Sequence, residues 1–249
     1  MEINQAAAES GTREVFRSLG RGLRQAVGYL RFGILSFPKL FLTLIILLVT
    51  RASVLDYHPL PSGSMHPGLL EGDLLLVDRL AYDIKVPFVG YTIWCVAPPQ
   101  RGDIVVFDSP KDGRLLVKRI IGLPGDRVEL KDKVLRLNGE AASYRDLGAS
   151  MDYIPVGARW SSHDYEETIA GTRQLIRRLD EISGTDLGQV TVPRDQYLLL
   201  GDNRDNSADF RFFGFVPRDL IHGRVARIAW STGSQITPAF GEDRFWRAP

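Results

Sequence analysis

A mostly apolar segment over residues 32–50, which ends in an almost wholly apolar run at residues 40–49, constrains most strongly what this chain can fold into. A helix that crosses a bilayer needs about 20 predominantly apolar residues. The segment provides roughly that length if the Lys39 side chain extends toward a lipid headgroup. A secretory signal peptide is disfavoured, because the apolar stretch starts late and no clear small-x-small cleavage site follows it. We predict one transmembrane helix over residues 32–50, with a buried core helix as the alternative.

Basic residues on one side of this segment indicate its orientation. They precede the apolar core and are Arg13, Arg17, Arg21, Arg24, Arg31 and Lys39. By the positive-inside rule, a flank of this kind stays in the cytoplasm. Residues 1–31 are therefore expected to form a cytoplasmic basic leader. Residues 56–249 are expected to lie outside the cytoplasm, in the periplasm of a cell with two membranes.

After the apolar segment the chain changes to short apolar runs separated by Gly, Pro and Asp. The runs that predict strands are residues 74–77, 104–107, 115–117, 134–137, 197–200 and 225–230. Short strands with regular turn residues predict a mainly β domain, either a sandwich or a folded, barrel-like sheet. Residues 141–193 are more polar. We interpret them as a small inserted subdomain that carries a helix around residues 166–182.

Charge and cysteine content narrow the function classes. The 31 Lys and Arg residues nearly balance the 30 Asp and Glu residues, so no overall basic field favours nucleic acid as a partner. The single cysteine, Cys95, lies in an apolar run and is expected to be a small packed residue rather than a nucleophile. The four histidines are scattered without metal-ligand spacing. We expect neither a metal nor another cofactor.

Residues 61–67 place a serine, Ser64, in a stiff turn beyond the apolar segment. Gly63 lets the backbone bend closely, and Pro61 and Pro67 restrict the approach and the exit of the chain. Taken alone, such a segment is typical of an ordinary turn. A serine hydroxyl is a poor nucleophile near neutral pH and needs a nearby base, and nothing in the sequence suggests a His-Asp pair.

Lys118, which follows Ser64 by 118 − 64 = 54 residues, is the candidate base. At an ordinary pKa of about 10.4, only about one lysine in 2,500 is neutral at pH 7. Apolar neighbours on both sides of Lys118 can lower its pKa by desolvation. Arg119 is unsuited to the role because a guanidinium stays protonated. The alternative is an exposed lysine on a strand.

Four sequence blocks occur in the order typical of one family. They are Pro61-Ser62-Gly63-Ser64-Met65-His66-Pro67 with its continuation to Val77, Arg101-Gly102-Asp103-Ile104-Val105-Val106-Phe107, Val117-Lys118-Arg119-Ile120-Ile121-Gly122-Leu123-Pro124-Gly125-Asp126, and Gly201-Asp202-Asn203-Arg204-Asp205-Asn206-Ser207. From about Tyr57 to about Trp230 the chain therefore resembles bacterial type I signal peptidases (leader peptidases), which are Ser-Lys dyad serine proteases. The resemblance implies a membrane-bound endopeptidase of the bacterial inner membrane. Such an enzyme removes N-terminal signal peptides from exported preproteins after Ala-x-Ala sequences.

The resemblance also implies roles for particular residues. Ser64 is the expected nucleophile, which forms an acyl-enzyme, and Lys118 is the expected general base. The backbone N–H of Ser64 and the hydroxyl of Ser62 are the expected oxyanion donors, and the hydroxyl of Ser207 is expected to orient the lysine amine. A charged network is expected to brace the last block, and its members are Asp202, Arg204, Asp209 and Arg211.

Two positions depart from the family pattern. Phe210 stands where members usually carry Ser, which removes a possible hydrogen bond near the site, and Gly68 stands where they usually carry Thr. The substrate is expected to lie as an extended strand between the segments that precede Ser64 and Lys118. Shallow apolar pockets that admit alanine are expected there, lined by Leu60, Pro61, Leu116 and Val117. Plain core packing is the alternative for each of these four.

Contact with lipid is expected from apolar residues at two places. They are Met65, Leu69 and Leu70 near the predicted anchor, with Phe245 and Trp246 at the other end. Two other functions stay open. One is a specialised Ser-Lys processing peptidase, for example of a conjugative transfer system. A self-cleaving repressor, which is also a Ser-Lys protease, is disfavoured, because it would carry a DNA-binding helix-turn-helix in place of the apolar segment. The other is a non-enzymatic β-scaffold tethered to the membrane.

Overall fold

The structure is a computed structural model, and it describes residues 37–44, 55–85, 91–153, 159–182, 185–231 and 244–249. The chain divides into two compact units, Met1–Arg51 and Ala52–Pro249. In the first unit, residues 38–44 form a helix whose side chains are mostly exposed. The helices within the described ranges all fall short of the length and apolar content that a membrane crossing requires. The predicted leader and most of the predicted transmembrane segment lie outside the described residues.

The second unit is built mainly from strands, which confirms the predicted mainly β class. Over its described residues the strands are β1 (Leu55–Pro59), β2 (Asp73–Asp78), β3 (Asp83–Lys85), β4 (Thr92–Cys95), β5 (Ile104–Asp108), β6 (Leu115–Gly122), β7 (Arg127–Lys131), β8 (Val134–Leu137), β9 (Glu140–Ala141), β10 (Ser143–Tyr153), β11 (Arg159–Ile169), β12 (Thr172–Leu179), β13 (Leu187–Thr191), β14 (Gln196–Leu200), β15 (Val216–Pro217) and β16 (Ile221–Ser231). Each of the six apolar runs that predicted a strand falls inside one of these. In the described part of this second unit the helical turns are short: two 3-10 turns, Gly63–Met65 and Arg218–Leu220, and one α-helix, Phe210–Phe213.

The largest sheet has seven strands in the order β1-β2-β16-β5-β6-β14-β15, and its neighbouring strands pair antiparallel. Strand β6 lies between β5 and β14 in this sheet. Gly113, with φ of 68°, adopts the left-handed conformation in the β5–β6 turn that glycine tolerates best. The remaining strands form sheets in the orders β10-β11-β12, β13-β7-β8-β9 and β3-β4.

One of the apolar clusters of the core lies against the segment that carries Ser64. Its buried members are Leu60, Met65, Leu69, Leu75, Val77, Ile104, Val106, Val117, Val225 and Ile228. Met65 and Leu69 are fully buried and Leu70 is 7% exposed, so the prediction that these three contact lipid was wrong. Burying a side chain of this size contributes about 1.5–3 kcal/mol, which explains why these residues turn inward. Phe245 and Trp246, in contrast, are exposed.

The helix predicted around residues 166–182 was also wrong, because this region forms a β-hairpin. Strands β11 and β12 pair antiparallel from Ile169 and Thr172 outward. Between them, Ala170 and Gly171 have φ values of 46° and 77°. A two-residue turn with positive φ at both positions matches the twist of a hairpin and excludes a continuous helix. The Ala-Gly pair was therefore the sequence signal for a hairpin, and the helix prediction relied on the polar composition of the region instead.

Cys95 lies in β4 and is exposed, so the prediction of a packed residue was wrong. The β3–β4 pair forms a two-stranded sheet by itself, and all four residues of β4 are exposed. Its apolar composition thus reflects an uncovered hairpin rather than a core strand. Across the residues that the structure describes, no three His, Cys, Asp or Glu side chains are grouped so as to hold a metal ion.

Candidate active site

Ser64 lies in the short 3-10 turn Gly63–Met65, between strands β1 and β2. The Ser64 side chain is largely buried, and the neighbouring Met65 points into the apolar cluster beneath it. His66 N–H donates to the carbonyl of Gly63 at 3.0 Å, which closes the turn. The turn therefore presents one hydroxyl while its other side is fixed by apolar packing.

Arg244 anchors the chain that follows this turn. Its guanidinium pairs with the carboxylate of Asp73, which is fully buried, and donates to the carbonyl of Gly68 at 2.9 Å. The Asp73 carboxylate also accepts a hydrogen bond from Leu70 N–H at 2.8 Å. Sequence reasoning missed Arg244, because nothing at residue 244 indicates a partner 171 residues earlier.

Lys118 lies on β6, opposite Val105 of β5, and is 3% exposed. Its Nζ is 2.7 Å from Oγ of Ser64 and donates to the carbonyl of Val117 at 3.0 Å. The structure thus brings together the two residues that the sequence analysis named as nucleophile and base. The distance is within the range of a direct hydrogen bond.

Burial lowers the pKa of Lys118 from 10.5 to about 8, because the charged ammonium loses its water. The carboxylates of Asp209 and Asp202 act in the opposite direction and favour the charged form. With a pKa near 8, about one Lys118 in ten is neutral at pH 7. The side chain can therefore accept a proton near neutral pH, which an exposed lysine does to a negligible extent.

Ser62 and Ser207 are the two further hydroxyls that the sequence analysis assigned to the site. The exposed Ser62 has its Oγ 3.4 Å from Oγ of Ser64, which is at the long limit of a hydrogen bond. Ser207 is buried, and its Oγ makes no hydrogen bond to the described residues. The predicted bond between Ser207 and the Lys118 amine is thus not formed here, and the orienting role of Ser207 stays a prediction.

The loop of residues 201–207, called the 201–207 loop below, contacts the Ser64 turn directly. Asn203 N–H donates to the carbonyl of Ser64 at 3.1 Å, and Asn203 Nδ2 donates to the carbonyl of Gly63 at 3.1 Å. At Gly201, an added Cβ would lie 2.1 Å from Oγ of Ser207 and 2.7 Å from the carbonyl oxygen of Ser64. The close approach of the loop to the turn therefore requires glycine at this position.

The four charged residues of the predicted network do form ion pairs, although two of the partners were not foreseen. Asp209 pairs with Arg211 at 2.7 Å. Asp202 accepts two hydrogen bonds from Arg119, at 2.8 and 2.7 Å. Arg204 pairs with Glu167 of strand β11, within the predicted insert.

The residues expected to line the substrate pockets differ in exposure. Leu60 and Val117 belong to the apolar cluster beneath Ser64, Leu116 is partly buried, and Pro61 is exposed. Strand β14 pairs with β6 only from Arg119 onward, whereas β5 pairs with residues 115–119. Within the described sheet, the first half of β6 therefore has one edge without a neighbouring strand.

Phe210, which departs from the family pattern, is buried at the start of the helix Phe210–Phe213. Its ring lies 4.6 Å from that of Phe215, between centroids. The aromatic pair fills core space in place of a hydroxyl. Gly68, the other departure, supplies the carbonyl that Arg244 binds, and an added Cβ there would approach Asp202 no closer than 3.7 Å.

Comparison with known proteins by sequence identifies the family of this chain. The family model described as signal peptidase, peptidase S26, matches residues 34–230. Signal peptidase I of Pseudomonas fluorescens is 37% identical over 190 residues, which cover 74% of this chain and 64% of that protein. Signal peptidase I of Pseudomonas aeruginosa is 37% identical over 192 residues, with the same two shares, so the chain spans 64% of the length of both relatives. A crystal structure of a signal peptidase I from Enterococcus faecalis has 30% identity and a TM-score of 0.35, covering 53% of this chain and 99% of that one.

Proposed function

Since this chain belongs to the signal peptidase family, peptidase S26, we propose that it is a membrane-bound serine endopeptidase that removes N-terminal signal peptides from exported preproteins. The observation that carries the proposal is the 2.7 Å distance between Nζ of the buried Lys118 and Oγ of Ser64. A nucleophile and a base within hydrogen-bond reach are the minimum that acyl transfer needs. A scaffold without activity has no need for a lysine buried against a serine.

The reaction follows from this pair in two steps. Neutral Lys118 takes the hydroxyl proton of Ser64 as Oγ attacks the scissile carbonyl, and the resulting ammonium gives that proton to the leaving amine. The C–N bond breaks, and an ester between Ser64 and the signal peptide forms. Lys118 then takes a proton from water, which attacks the ester. The bond between Oγ and the acyl carbon breaks, the ammonium returns the proton to Oγ of Ser64, and the signal peptide is released.

The tetrahedral intermediates carry an oxyanion. We assign its stabilisation to hydrogen bonds from the backbone N–H of Ser64 and from the hydroxyl of Ser62. Loss of one such donor typically costs about 3–4 kcal/mol in the transition state. We assign to the hydroxyl of Ser207 the role of orienting the Lys118 amine. Its buried hydroxyl has no hydrogen-bond partner among the described residues, and a buried polar group gains free energy from finding one.

The substrate is proposed to bind as an extended strand along the unpaired edge of β6. Backbone groups of residues 115–118 then bind the peptide by β-strand addition. Small side chains of an Ala-x-Ala sequence would contact Leu60, Pro61, Leu116 and Val117, three of which are at least partly buried. Large side chains would clash with this shallow apolar floor, which gives the preference for alanine.

The location proposed for the enzyme rests on the sequence. Residues 1–31 form the cytoplasmic leader, residues 32–50 the single transmembrane helix, and residues 56–249 the catalytic domain on the outer face of the bacterial inner membrane. Within that domain, residues 141–193 are the inserted subdomain. The exposed Phe245 and Trp246 supply the lipid contact.

Cleavage of a preprotein by the purified protein tests the function. We expect one cut after Ala-x-Ala, with loss of the cut in both Ser64→Ala and Lys118→Ala, while the exposed Lys111→Ala serves as a matched control that retains activity. A specialised processing peptidase would instead cut only its own dedicated substrate. Full activity in Lys118→Ala would disprove the Ser-Lys mechanism, and no cleavage by the wild type would favour the scaffold.

A further inference from the structure

Strand β12 of the predicted insert is hydrogen-bonded to the 201–207 loop. Arg177 N–H donates to the carbonyl of Asp202 at 2.9 Å, and Arg204 N–H donates to the carbonyl of Arg177 at 2.9 Å. These two bonds form a parallel bridge between Arg177 and Asn203. The backbone of the loop is therefore fixed on both sides of Asn203 by one residue of the insert.

A buried ion pair strengthens this connection. The Arg204 guanidinium donates to both carboxylate oxygens of Glu167, one of them at 2.8 Å, and Gln174 Nε2 donates to the same carboxylate. Glu167 is fully buried and Arg204 is 4% exposed. Burial raises the pKa of the Glu167 carboxyl, but attraction to the charge of Arg204 and the hydrogen bonds from its guanidinium outweigh this effect. They hold the pKa of Glu167 below its usual range. A pair of this kind is sensitive to the loss of either partner, since the remaining charge stays in the core.

A third contact lies two residues beyond Asn203. The Asp205 carboxylate accepts hydrogen bonds from Leu179 N–H at 2.9 Å and from Lys133 Nζ at 3.0 Å. Leu179 is the last residue of β12. The insert thus contacts the loop through a backbone bridge, a buried ion pair and a carboxylate. These contacts are made by the loop residues on either side of Asn203 in the sequence, whereas Asn203 itself donates to the Ser64 turn.

We propose that Asn203 is a positioning residue for Ser64, and that Glu167, acting through Arg204, fixes Asn203 in place. Two of the three carbonyls in the Ser64 turn accept hydrogen bonds from Asn203, so the orientation of the turn follows the position of this residue. The insert is then part of the active-site support rather than an independent surface module. As a statement about cleavage rate, this inference rests on the proposed function.

The expected consequence is a loss of rate without a loss of binding. Asn203 donates to the Ser64 turn and Glu167 binds Arg204 and Gln174, whereas the proposed substrate contacts are made by other residues. The geometry between Ser64 and Lys118 depends on the turn. Misplacement of reacting groups by about 1 Å can reduce the rate by about 100-fold. Variants that loosen the turn should therefore lower kcat and leave KM nearly unchanged.

The kinetic test uses Asn203→Ala, Glu167→Gln and a matched control, Glu166→Gln. Glu166 is the neighbour of Glu167 on the same strand, but its carboxylate pairs with the exposed Arg145. Rates are taken per folded molecule, well below the unfolding temperature of each variant. We expect kcat to fall about 100-fold in Asn203→Ala and about tenfold in Glu167→Gln, with KM within about twofold and no change in Glu166→Gln.

Two further variants separate positioning from simple loss of stability. Glu167→Asp keeps the charge and should recover part of the lost kcat. The double variant Asn203→Ala with Glu167→Gln should be no slower than Asn203→Ala alone, because both changes act on the same contact. Multiplied losses in the double variant, or an unchanged kcat in Glu167→Gln, would overturn the proposal. Asn203→Ala leaves no unpaired charge in the core. If Glu167→Gln fails to fold, this variant still measures the effect of Asn203 on kcat.

A readout independent of activity distinguishes failure of this inference from failure of the proposed function. Hydrogen–deuterium exchange is measured on peptides that contain the Ser64 turn and the 201–207 loop. Glu167→Gln should speed exchange in both peptides, whereas Glu166→Gln should speed it in neither. If the wild type cleaves no preprotein, the proposed function fails, and faster exchange in both peptides still supports the connection. Faster exchange confined to the insert would overturn it.

Discussion

The Ser64 turn and the 201–207 loop meet at the same site but are held by different forces. The turn lies on an apolar cluster that includes the fully buried Met65 and Leu69. The loop is held by paired charges, among them Asp202 with Arg119. Apolar burial is non-directional, so it tolerates small shifts. A buried ion pair stabilises only in good geometry and is strongly destabilising once one partner is lost. Ser64 is therefore supported on one side by apolar packing, which tolerates small shifts, and on the other by buried ion pairs, which are sensitive to the loss of one partner.

The largest effect should come from the charged side. Replacing Asp202 by Asn leaves the Arg119 guanidinium buried without a counter-charge, and we expect the free energy of unfolding to fall by about 4 kcal/mol. Urea unfolding measures this change. Asp112→Asn is the matched control, because its carboxylate pairs with Arg114 at the surface, where such pairs contribute little to stability. Equal effects of the two substitutions would abolish the contrast.

The apolar side should respond somewhat less. Leu69→Ala removes a fully buried side chain, and a change of this kind typically lowers the free energy of unfolding by about 3 kcal/mol. Because the turn can settle into the space, activity per folded molecule should remain within a few-fold of the wild type. Leu147→Ala, at a residue that is 47% exposed, serves as the control with little effect on either quantity. A loss of kcat as large as that of Asn203→Ala would mean that the apolar side is not the tolerant one.

The pH dependence sharpens the comparison at the point where both sides meet. With the Lys118 pKa near 8, kcat/KM should rise about tenfold per pH unit below pH 7, about fivefold between pH 7 and pH 8, and level off above pH 9. The unfolded chain, with a lysine pKa of 10.5, binds more protons between about pH 8 and 10.5. The contribution of Lys118 to stability therefore rises with pH across that window. A rate that stays flat from pH 6 to pH 9 would contradict the assignment of Lys118 as the base.

The smallest effect is expected outside both supports, in strand β4. Trp94 and Ile93 are 68% and 62% exposed, and a Ser substitution at either should change the free energy of unfolding by no more than about 0.5 kcal/mol. Thermal unfolding with both single variants checks this. A loss of more than about 1 kcal/mol would show that this hairpin contributes to the core in the same way as the apolar cluster below Ser64.

The strands could be predicted from the sequence because their apolar runs are short and bounded by turn residues. Ser64 and Lys118 were identified from the resemblance of sequence blocks, since a separation of 54 residues says nothing by itself about distance in space. Glu167 and Arg244 were missed because each binds a partner far away in the chain. Local pattern carries no information on such pairs, and a buried carboxylate looks the same in sequence as an exposed one.

The errors have a common physical origin. Leu69 and Cys95 were judged from the apolar character of their neighbours, yet the first is fully buried and the second is exposed. An apolar run shows that a segment avoids water, and it does not show whether another layer of the fold covers it. The helix predicted around residues 166–182 failed for a related reason, because the Ala170-Gly171 turn decides the pairing of the segment and the composition does not.

The exposed position of Cys95 has a practical consequence for experiments on this protein. It is the single cysteine of the chain, and it lies on a strand whose side chains all face solvent. A maleimide dye or a nitroxide can therefore be attached to the native sequence at one defined place, without any cysteine to remove first. The label would report on the surroundings of this hairpin while the Ser64 turn and the 201–207 loop remain unmodified.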